Sequence, residues 1–82
     1  MIQLMEQASQ AAVDEYLEKG QTSVGIEVNI RHLAPADIGA TIIAHAELLE
    51  VDRKRLTFRV EAFDGDRKLG EGTHRRAVID LP

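Results

Sequence analysis

Two side chains of the sequence are candidates for chemistry, Glu6 and His32. The 82 residues include no cysteine, so any nucleophile must be an oxygen group of the protein or water. At about 100° per residue, Glu6 falls at the margin of a helical apolar stripe, between Val13 and Leu17. A carboxylate at the edge of a buried interface can act as a base. An ordinary boundary glutamate is the alternative, and periodicity alone favours it.

His32 ends a strand-like segment on the same parity as its apolar residues, directly before the loop at residues 33–39. Polar groups at such positions are often aimed into a cleft. The alternative is a histidine that is buried and hydrogen-bonded for structural reasons only. The pattern alone favours this second interpretation.

The other two histidines are weaker candidates. His45 shares a strand face with Glu47, and His74 is followed by Arg75, so we expect both histidines to be solvated or interfacial. The three histidines are far apart and show neither HxxxH nor HxH spacing. The sequence therefore predicts no metal site.

The charge distribution argues against a nucleic-acid partner but not against an anionic small molecule. Net charge is −4, and the only aromatic residues are one tyrosine and two phenylalanines, which is a poor composition for stacking or tracking nucleic acid. Three basic clusters nevertheless fall in the second half of the chain: Arg53, Lys54 and Arg55, then Arg67 and Lys68, then Arg75 and Arg76. For the last cluster, a solvated sheet edge is at least as well supported as phosphate binding.

The elements that would position these side chains begin with a helix at residues 1–18. Its predicted apolar stripe consists of Ile2, Met5, Ala8, Ala12 and Tyr16. Lys19 and Gly20 are typical of a helix end. From residue 22 onward, the period of the apolar residues changes to two.

Four strands are predicted, at residues 22–32, 41–51, 55–63 and 67–79. Residues 24, 26, 28 and 30 are apolar and predict one buried face for the first strand. Gly70 and Gly72 lie inside the last strand, where glycine usually marks a bulge or a close backbone approach. One helix followed by antiparallel strands predicts the α+β class, with the last three strands forming a meander.

The length predicts a single domain, residues 1–82, with a marginal core. One helix cannot cover a sheet of this size, so we expect the remaining apolar surface to pack against a second copy, as a dimer or a higher oligomer. The sequence shows no secretion signal and no run of about 18 apolar residues, which predicts a soluble, cytoplasmic protein without a membrane partner.

Four segments together resemble the fluoroacetyl-CoA thioesterase group of hot-dog proteins: residues 4–8 (LMEQA), 24–35 (VGIEVNIRHLAP), 46–51 (AELLEV) and 70–74 (GEGTH). Each segment is weak by itself, but their order and spacing are fairly specific, and the match runs over essentially the whole chain. The resemblance implies a hot-dog fold, in which a four-stranded antiparallel sheet wraps one long helix.

The resemblance also implies hydrolysis of acyl-CoA thioesters at a site that lies between subunits. Glu6 would be the base or nucleophile, and His32 would orient and polarise the reacting groups. Substrate contacts are expected from the following residues: Arg53, Lys54, Arg75 and Arg76 at the CoA phosphates, and Gly70 and Gly72 in the site. No cofactor is implied, because coenzyme A enters as part of the substrate.

One departure from the family pattern bears on this expectation. Family members have a strand and a loop before the helix, which supply a catalytic hydroxyl residue, whereas this sequence starts inside the helix. The hydroxyl partner and one edge strand are therefore expected to be absent. The alternative function is a non-catalytic hot-dog module that binds acyl thioesters or serves only in oligomeric assembly.

Overall fold

The computed structural model describes residues 1–82 as one helix and four strands. The elements are α1 Ile2–Asp14, β1 Gln21–His32, β2 Ile43–Asp52, β3 Arg55–Asp64 and β4 Arg67–Asp80. The predicted α+β class and all four predicted strands are confirmed. The single helix is neither long nor apolar enough to cross a membrane.

The strands form one antiparallel sheet in the order β1-β4-β3-β2. The predicted meander of β2, β3 and β4 is confirmed, because consecutive strands pair through two tight turns. The turn after β3 contains Gly65 at φ +59°, a conformation that glycine adopts without steric cost. β1 pairs with β4, so β1 and β2 are the two edges of the sheet.

Helix α1 lies against all four strands and buries Met5, Ser9 and Val13. Ser9 is accommodated in this apolar contact because its hydroxyl donates a hydrogen bond of 2.9 Å to the carbonyl of Met5. The predicted helix end at residue 18 is wrong. After Asp14 the backbone tightens into i→i+3 hydrogen bonds, which leaves Tyr16 outside the helix and 80% exposed.

The core lies between α1 and the middle of the sheet. Phe58, Val60 and Ala62 alternate along β3 and are all buried against Met5 and Val13. This alternation confirms the predicted period of two in a central strand. Residues paired across a sheet share a face, so His74 and Gly72 of β4 also lie on the helix side, opposite Phe58 and Val60.

A bulge in β1 changes the predicted buried face of that strand. The pairing with β4 shifts between Gly25 and Glu27, so Ile26 is an extra residue. Ser23 faces the helix before the bulge and Val28 faces it afterwards, whereas Val24 points to the opposite face. The predicted burial of residues 24 and 26 is therefore wrong, and both side chains are exposed. Val28 lies on the helix side but is also exposed, so its predicted burial is wrong as well.

Gly70 and Gly72 occupy positions of close approach, as their placement inside β4 predicted. A Cβ atom at Gly72 would overlap the carbonyl group of Asn29 in the backbone of β1. A Cβ atom at Gly70 would overlap the thioether end of Met1, beside the carbonyl of Arg31. Glycine at position 72 therefore lets β1 and β4 pair closely, and glycine at position 70 lets the start of α1 reach the sheet.

Candidate functional site

Glu6 is half-buried at the edge of α1, which is where the helical periodicity predicted it. Its carboxylate makes no hydrogen bond and no ion pair within the chain. Glu6 nevertheless acts electrostatically on β4: burial lowers the pKa of Arg76, and the negative charges of Glu6 and Asp14 oppose that shift. Glu6 is thus within electrostatic range of Arg76, although no ion pair joins the two side chains.

Arg76 is the centre of a buried polar cluster on the helix side of the sheet. Its Nε donates to the hydroxyl of Ser23 and its Nη2 donates to the backbone carbonyl of Ser23, each over 2.9 Å. Its Nη1 lies 3.2 Å from Nε2 of His74. The residue is only 5% exposed and makes no ion pair. A buried cation is thus held by neutral partners alone.

The expectation of a solvated or interfacial His74 is wrong, because His74 is 1% exposed within a single chain. Its Nδ1 lies 2.9 Å from the carbonyl of Glu27. The available signal was the parity of β4, in which positions 74 and 76 alternate with 75 and share a face with Val78. A polar pair on that parity was not recognised as buried. His45, by contrast, is exposed, with its ring 5.8 Å from that of Phe63.

His32 is at the last position of β1, opposite Gly70. It shares the helix-side face with Ile30 and Val28, but its side chain is exposed and has no hydrogen-bond partner. Met1 packs on Gly70, so the start of α1 lies near His32. Glu6 follows Met1 by five residues, about 7 Å along a helix axis. The structure therefore places both predicted catalytic residues on one face, without a hydrogen bond between them.

The sheet surface between these residues is partly uncovered. Along β1, Ile30 packs against the core, whereas Val28 is 40% exposed. These residues form a strip on the helix side of β1 that runs from the level of His74 to His32. A ligand or a second chain that lies on this strip would contact the edge strand and reach the Glu6 side of α1.

The four predicted phosphate-binding residues lie in three separate places. Arg53 and Lys54 form the turn between β2 and β3, next to an open cavity of about 520 Å³ that this turn lines. Arg75 is exposed on the face opposite the helix and donates to the hydroxyl of Thr57 over 3.3 Å. Arg76 is buried on the helix side. Because consecutive strand residues point to opposite faces, Arg75 and Arg76 do not act on the same group.

The surface prediction for Arg76 therefore needs correction. Its guanidinium lies under β1 and beside the helix, so it is not available at the surface to a CoA phosphate. Lys54 remains accessible and forms an exposed ion pair with Asp80 over 3.3 Å. The hydrogen bonds from Lys54 and Gln21 lower the pKa of the Asp80 carboxyl. Arg53 and Lys54 in the turn are exposed, as a phosphate contact requires, whereas Arg76 is not.

A second charged group lies on the face opposite the helix. Nζ of Lys68 is 2.7 Å from a carboxylate oxygen of Glu61 and 2.9 Å from one of Glu71, and Arg31 pairs with Glu71 over 2.7 Å. The hydrogen bonds from Lys68 lower the pKa of both carboxyls and raise the pKa of the lysine. These charges satisfy one another, so this group is structural.

No group of three or more histidine, aspartate or glutamate side chains is placed to hold a metal ion. His32 is at the end of β1, His45 is on the far face of β2, and His74 is buried under β1. The candidate site therefore consists of a carboxylate, an imidazole and a buried guanidinium, which suits proton transfer and the binding of an anion.

Comparison with known proteins shows which family the chain matches. The family model described as "FlK: Fluoroacetyl-CoA-specific thioesterase" matches residues 1–81. A fluoroacetyl-CoA thioesterase from Streptantibioticus cattleyicolor is 44% identical over 81 residues, which cover 99% of this chain. The chain spans 58% of the length of that relative.

Solved structures agree with the sequence match. A structure of a variant of the fluoroacetyl-CoA-specific thioesterase FlK, in complex with fluoroacetate and CoA, superposes with a TM-score of 0.93 at 44% identity, covering 99% of this chain and 65% of that one. A hot-dog-like protein from Thermanaerovibrio acidaminovorans gives a TM-score of 0.90 at 25% identity, covering 96% and 58%. A thioesterase superfamily member from Thermus thermophilus gives 0.89 at 28% identity, covering 93% and 56%. The predicted hot-dog fold is confirmed.

Proposed function

We propose that this chain, which belongs to the fluoroacetyl-CoA-specific thioesterase family, hydrolyses acyl-CoA thioesters. The observation that carries the proposal is the state of Glu6. It is a half-buried carboxylate with no partner of its own, within electrostatic range of a buried cation. A carboxylate in that setting is free to take a proton or to attack a carbonyl carbon.

In the proposed reaction, Glu6 acts as the base or as the nucleophile. As the base, its carboxylate takes a proton from water while the water oxygen attacks the thioester carbonyl carbon. The carbon–sulfur bond then breaks, the acyl group leaves as a carboxylic acid, and the sulfur takes up the proton as the CoA thiol. As the nucleophile, the Glu6 carboxylate would attack the carbonyl carbon, break the carbon–sulfur bond and expel the CoA thiolate, leaving a mixed anhydride. Water would then cleave the anhydride, which restores Glu6 and releases the carboxylic acid, and the thiolate would take up the remaining proton.

The remaining site residues have supporting roles in this proposal. His32 orients and polarises the reacting groups from the end of β1. Amides of the first turn of α1 stabilise the oxyanion that develops on the carbonyl oxygen. Arg76 provides a positive charge on the helix side of the sheet, and Gly70 and Gly72 allow the start of α1 and strand β1 to pack closely on β4 beside the site.

We place the CoA phosphates at the turn between β2 and β3. Arg53 and Lys54 are exposed there, and Arg55 follows them at the start of β3. Arg75, exposed on the other face, is a second candidate contact. Phosphates favour such groups because charge-assisted hydrogen bonds are roughly twice as strong as neutral ones.

The proposed function includes self-association. It also includes a cytoplasmic location, because acyl-CoA substrates are found in the cytoplasm. The edge strand β1 exposes Val24, Ile26 and Val28. An unpaired strand with apolar side chains is suited to pairing with a second copy. A copy docked at this edge would lie beside His32, which would put the active site at a subunit interface.

The test is release of free thiol from a panel of short, aromatic and longer acyl-CoA thioesters, with fluoroacetyl-CoA included. Turnover that exceeds the rate without protein, and that increases in proportion to protein concentration, supports the proposal. Its absence from a folded, self-associated sample over the whole panel contradicts it.

A non-catalytic acyl-thioester-binding module is the second candidate. One observation favours it: His32 is exposed at the end of β1 and makes no hydrogen bond with Glu6, so the two residues are not coupled as an acid–base pair within one chain. Calorimetric titration with a non-hydrolysable acyl-CoA ether separates the two candidates. Binding without any thiol release from the matching thioester supports the module.

A further inference from the structure

Arg76 has an unusual environment for an arginine. It is buried on the helix side of the sheet, yet no carboxylate lies within ion-pair distance of its guanidinium. Buried cations are normally paired, because desolvation of an isolated charge is costly. Burial lowers the pKa of Arg76, while the charges of Glu6 and Asp14 act in the opposite direction. A buried cation without an ion-pair partner is suited to binding an anion at its free N–H donors.

The hydrogen bonds of Arg76 fix the plane and direction of its guanidinium. The group has five N–H donors. Three are directed to Ser23 Oγ, the Ser23 carbonyl and Nε2 of His74. The two others, one each on Nη1 and Nη2, have no protein acceptor. The free donors of Arg76 are therefore on the terminal nitrogens, and their direction is set by three neutral acceptors.

His74 is able to be one of these acceptors because of its own tautomer. A backbone carbonyl can only accept, so the contact of 2.9 Å between Nδ1 and the Glu27 carbonyl assigns the proton to Nδ1. Nε2 then carries the lone pair and accepts from Nη1 of Arg76 over 3.2 Å. The bulge between Gly25 and Glu27 therefore controls, through the Glu27 carbonyl, how His74 presents its lone pair.

Gly25 gives the two side chains their space. A Cβ atom there would lie 3.1 Å from Cε1 of His74 and 3.5 Å from Nη1 of Arg76. The imidazole and the guanidinium thus occupy the volume that a side chain at position 25 would need. Even alanine would have to push the imidazole by a few tenths of an ångström.

We infer that His74 is a positioning residue for the thioesterase reaction. It holds the guanidinium of Arg76 so that the free N–H donors of Arg76 meet the anion formed at the Glu6 edge of the helix. This inference rests on the proposed function. His74 itself does not touch the substrate. It acts through Arg76, and Ser23 and Gly25 complete the support.

The first experiment measures kcat and KM for His74→Leu, which removes both ring hydrogen bonds, and for His74→Gln, whose amide oxygen can still accept from Arg76. We expect kcat to fall about tenfold or more in His74→Leu with little change in KM. Misplaced N–H donors of Arg76 would stabilise the transition state less, while substrate binding would change little. His74→Gln should recover most of the rate. His45→Leu, an exposed histidine on the far face, is the control and should stay within about twofold.

Two outcomes would overturn the inference. One is a folded His74→Leu with kcat near that of the original chain. The other is a His74→Gln as slow as His74→Leu, since this would indicate that ring packing alone matters. Gly25→Ala is a second variant that displaces the imidazole without removing a polar group, and we expect it to lower kcat in the same direction. An unchanged kcat in Gly25→Ala would also contradict the inference.

A second readout does not depend on hydrolysis. The exchange rate of the Arg76 Nη1 hydrogens with solvent, followed by ¹⁵N-edited NMR, should be slow in the original chain and much faster in His74→Leu, because Nη1 is the nitrogen that contacts His74. Equal rates would overturn the positioning role even if the enzyme is active. If no acyl-CoA is hydrolysed but exchange responds as expected, the proposed function fails while the positioning of Arg76 stands.

Discussion

Nε of Arg76 donates a hydrogen bond of 2.9 Å to the hydroxyl of Ser23, where an ion pair with a carboxylate would be the usual arrangement for a buried arginine. This pairing leaves the charge of Arg76 uncompensated at short range. It also leaves Glu6 without a partner, although the two charges act on each other through space. A direct ion pair would have neutralised both groups. The candidate site therefore keeps a base and a cation available at the same helix edge.

The turn between β2 and β3 is predicted to be strained at Arg53. Its φ of +58° is unfavourable for a residue with a Cβ, by about 1–2 kcal/mol. Replacement by glycine removes this cost but adds about 0.5–1 kcal/mol of chain entropy to the unfolded state. We therefore expect Arg53→Gly to raise the free energy of unfolding by about 0.5–1 kcal/mol in urea titrations.

The same substitution tests the phosphate assignment. If Arg53 contacts CoA, Arg53→Gly should raise KM for acyl-CoA and leave kcat unchanged. Lys54→Gly is the matched control for stability, because φ at Lys54 is not positive and the residue pairs with Asp80. Lys54→Gly should therefore lower the free energy of unfolding. A gain for Lys54→Gly equal to that for Arg53→Gly would contradict the strain argument.

Gly72 should tolerate no side chain. A Cβ atom there would overlap the carbonyl of Asn29, which belongs to the backbone of the paired strand and cannot rotate away. Overpacking of this kind costs about 3 kcal/mol. At Gly70 the main obstacle is the flexible end of Met1, so we expect Gly70→Ala to cost about 1 kcal/mol. Thermal unfolding of both variants checks this order, and a smaller loss at Gly72 than at Gly70 would show that β1 and β4 are not paired as described.

The fold was predictable where the apolar pattern depends on local alternation. Along β3, Phe58, Val60 and Ala62 lie in a strand with neighbours on both sides, and a period of two describes them fully. In β1, the extra residue Ile26 breaks the alternation. A bulge is set by pairing with β4, which a single-strand pattern does not contain, so the predicted face of Val24 was wrong.

The site was predictable only in part, for a related reason. Helical periodicity placed Glu6 at the edge of the core, because that depends on angle alone. His74 was missed because its burial depends on Glu27, 47 residues away in sequence, and on Arg76. Two polar residues in succession on a strand face are typical of a solvated face, unless distant partners satisfy them. Such partners become visible only once the strands are paired.

The ion-pair group around Lys68 should make stability depend on acid pH. The hydrogen bond from Lys68 lowers the pKa of Glu61 and of Glu71 below the usual value of 4.5. A lowered carboxyl pKa contributes stability that is present above the unfolded-state pKa and is lost as pH falls through the folded-state pKa. The raised pKa of Lys68 contributes stability below its usual value of 10.5 that is lost at higher pH.

Lys68→Gln should therefore be less stable than the original chain at about pH 7, and the difference should shrink at about pH 3. Added salt should reduce the difference at about pH 7, because the groups are partly exposed to solvent. Urea unfolding at both pH values measures the difference in the free energy of unfolding between Lys68→Gln and the original chain. Lys19→Gln, a substitution at an exposed lysine, is the control. A difference of equal size at both pH values would exclude the carboxylates as its source.

Self-association should depend on the exposed edge of β1. Val28 is 40% exposed on the helix side of this strand, near the strip that leads to His32. We expect Val28→Lys to shift the molar mass in light scattering from an oligomer toward a monomer, because two buried ammonium groups would face each other across a symmetric interface. Leu81→Lys, which is exposed outside the sheet, should leave the mass unchanged. If Val28→Lys leaves the molar mass unchanged, another surface holds the copies together.

Glu6 carries out the proposed hydrolysis, and Glu6→Gln tests this role most directly. Glutamine keeps the shape of the side chain but can neither accept a proton as a carboxylate does nor attack a thioester. Thiol release from the best acyl-CoA of the panel should fall by about tenfold or more, with the thermal midpoint and molar mass unchanged. Glu18→Gln, an exposed residue beyond the helix, is the control and should retain the full rate. A Glu6→Gln variant that releases thiol as fast as this control would contradict the account.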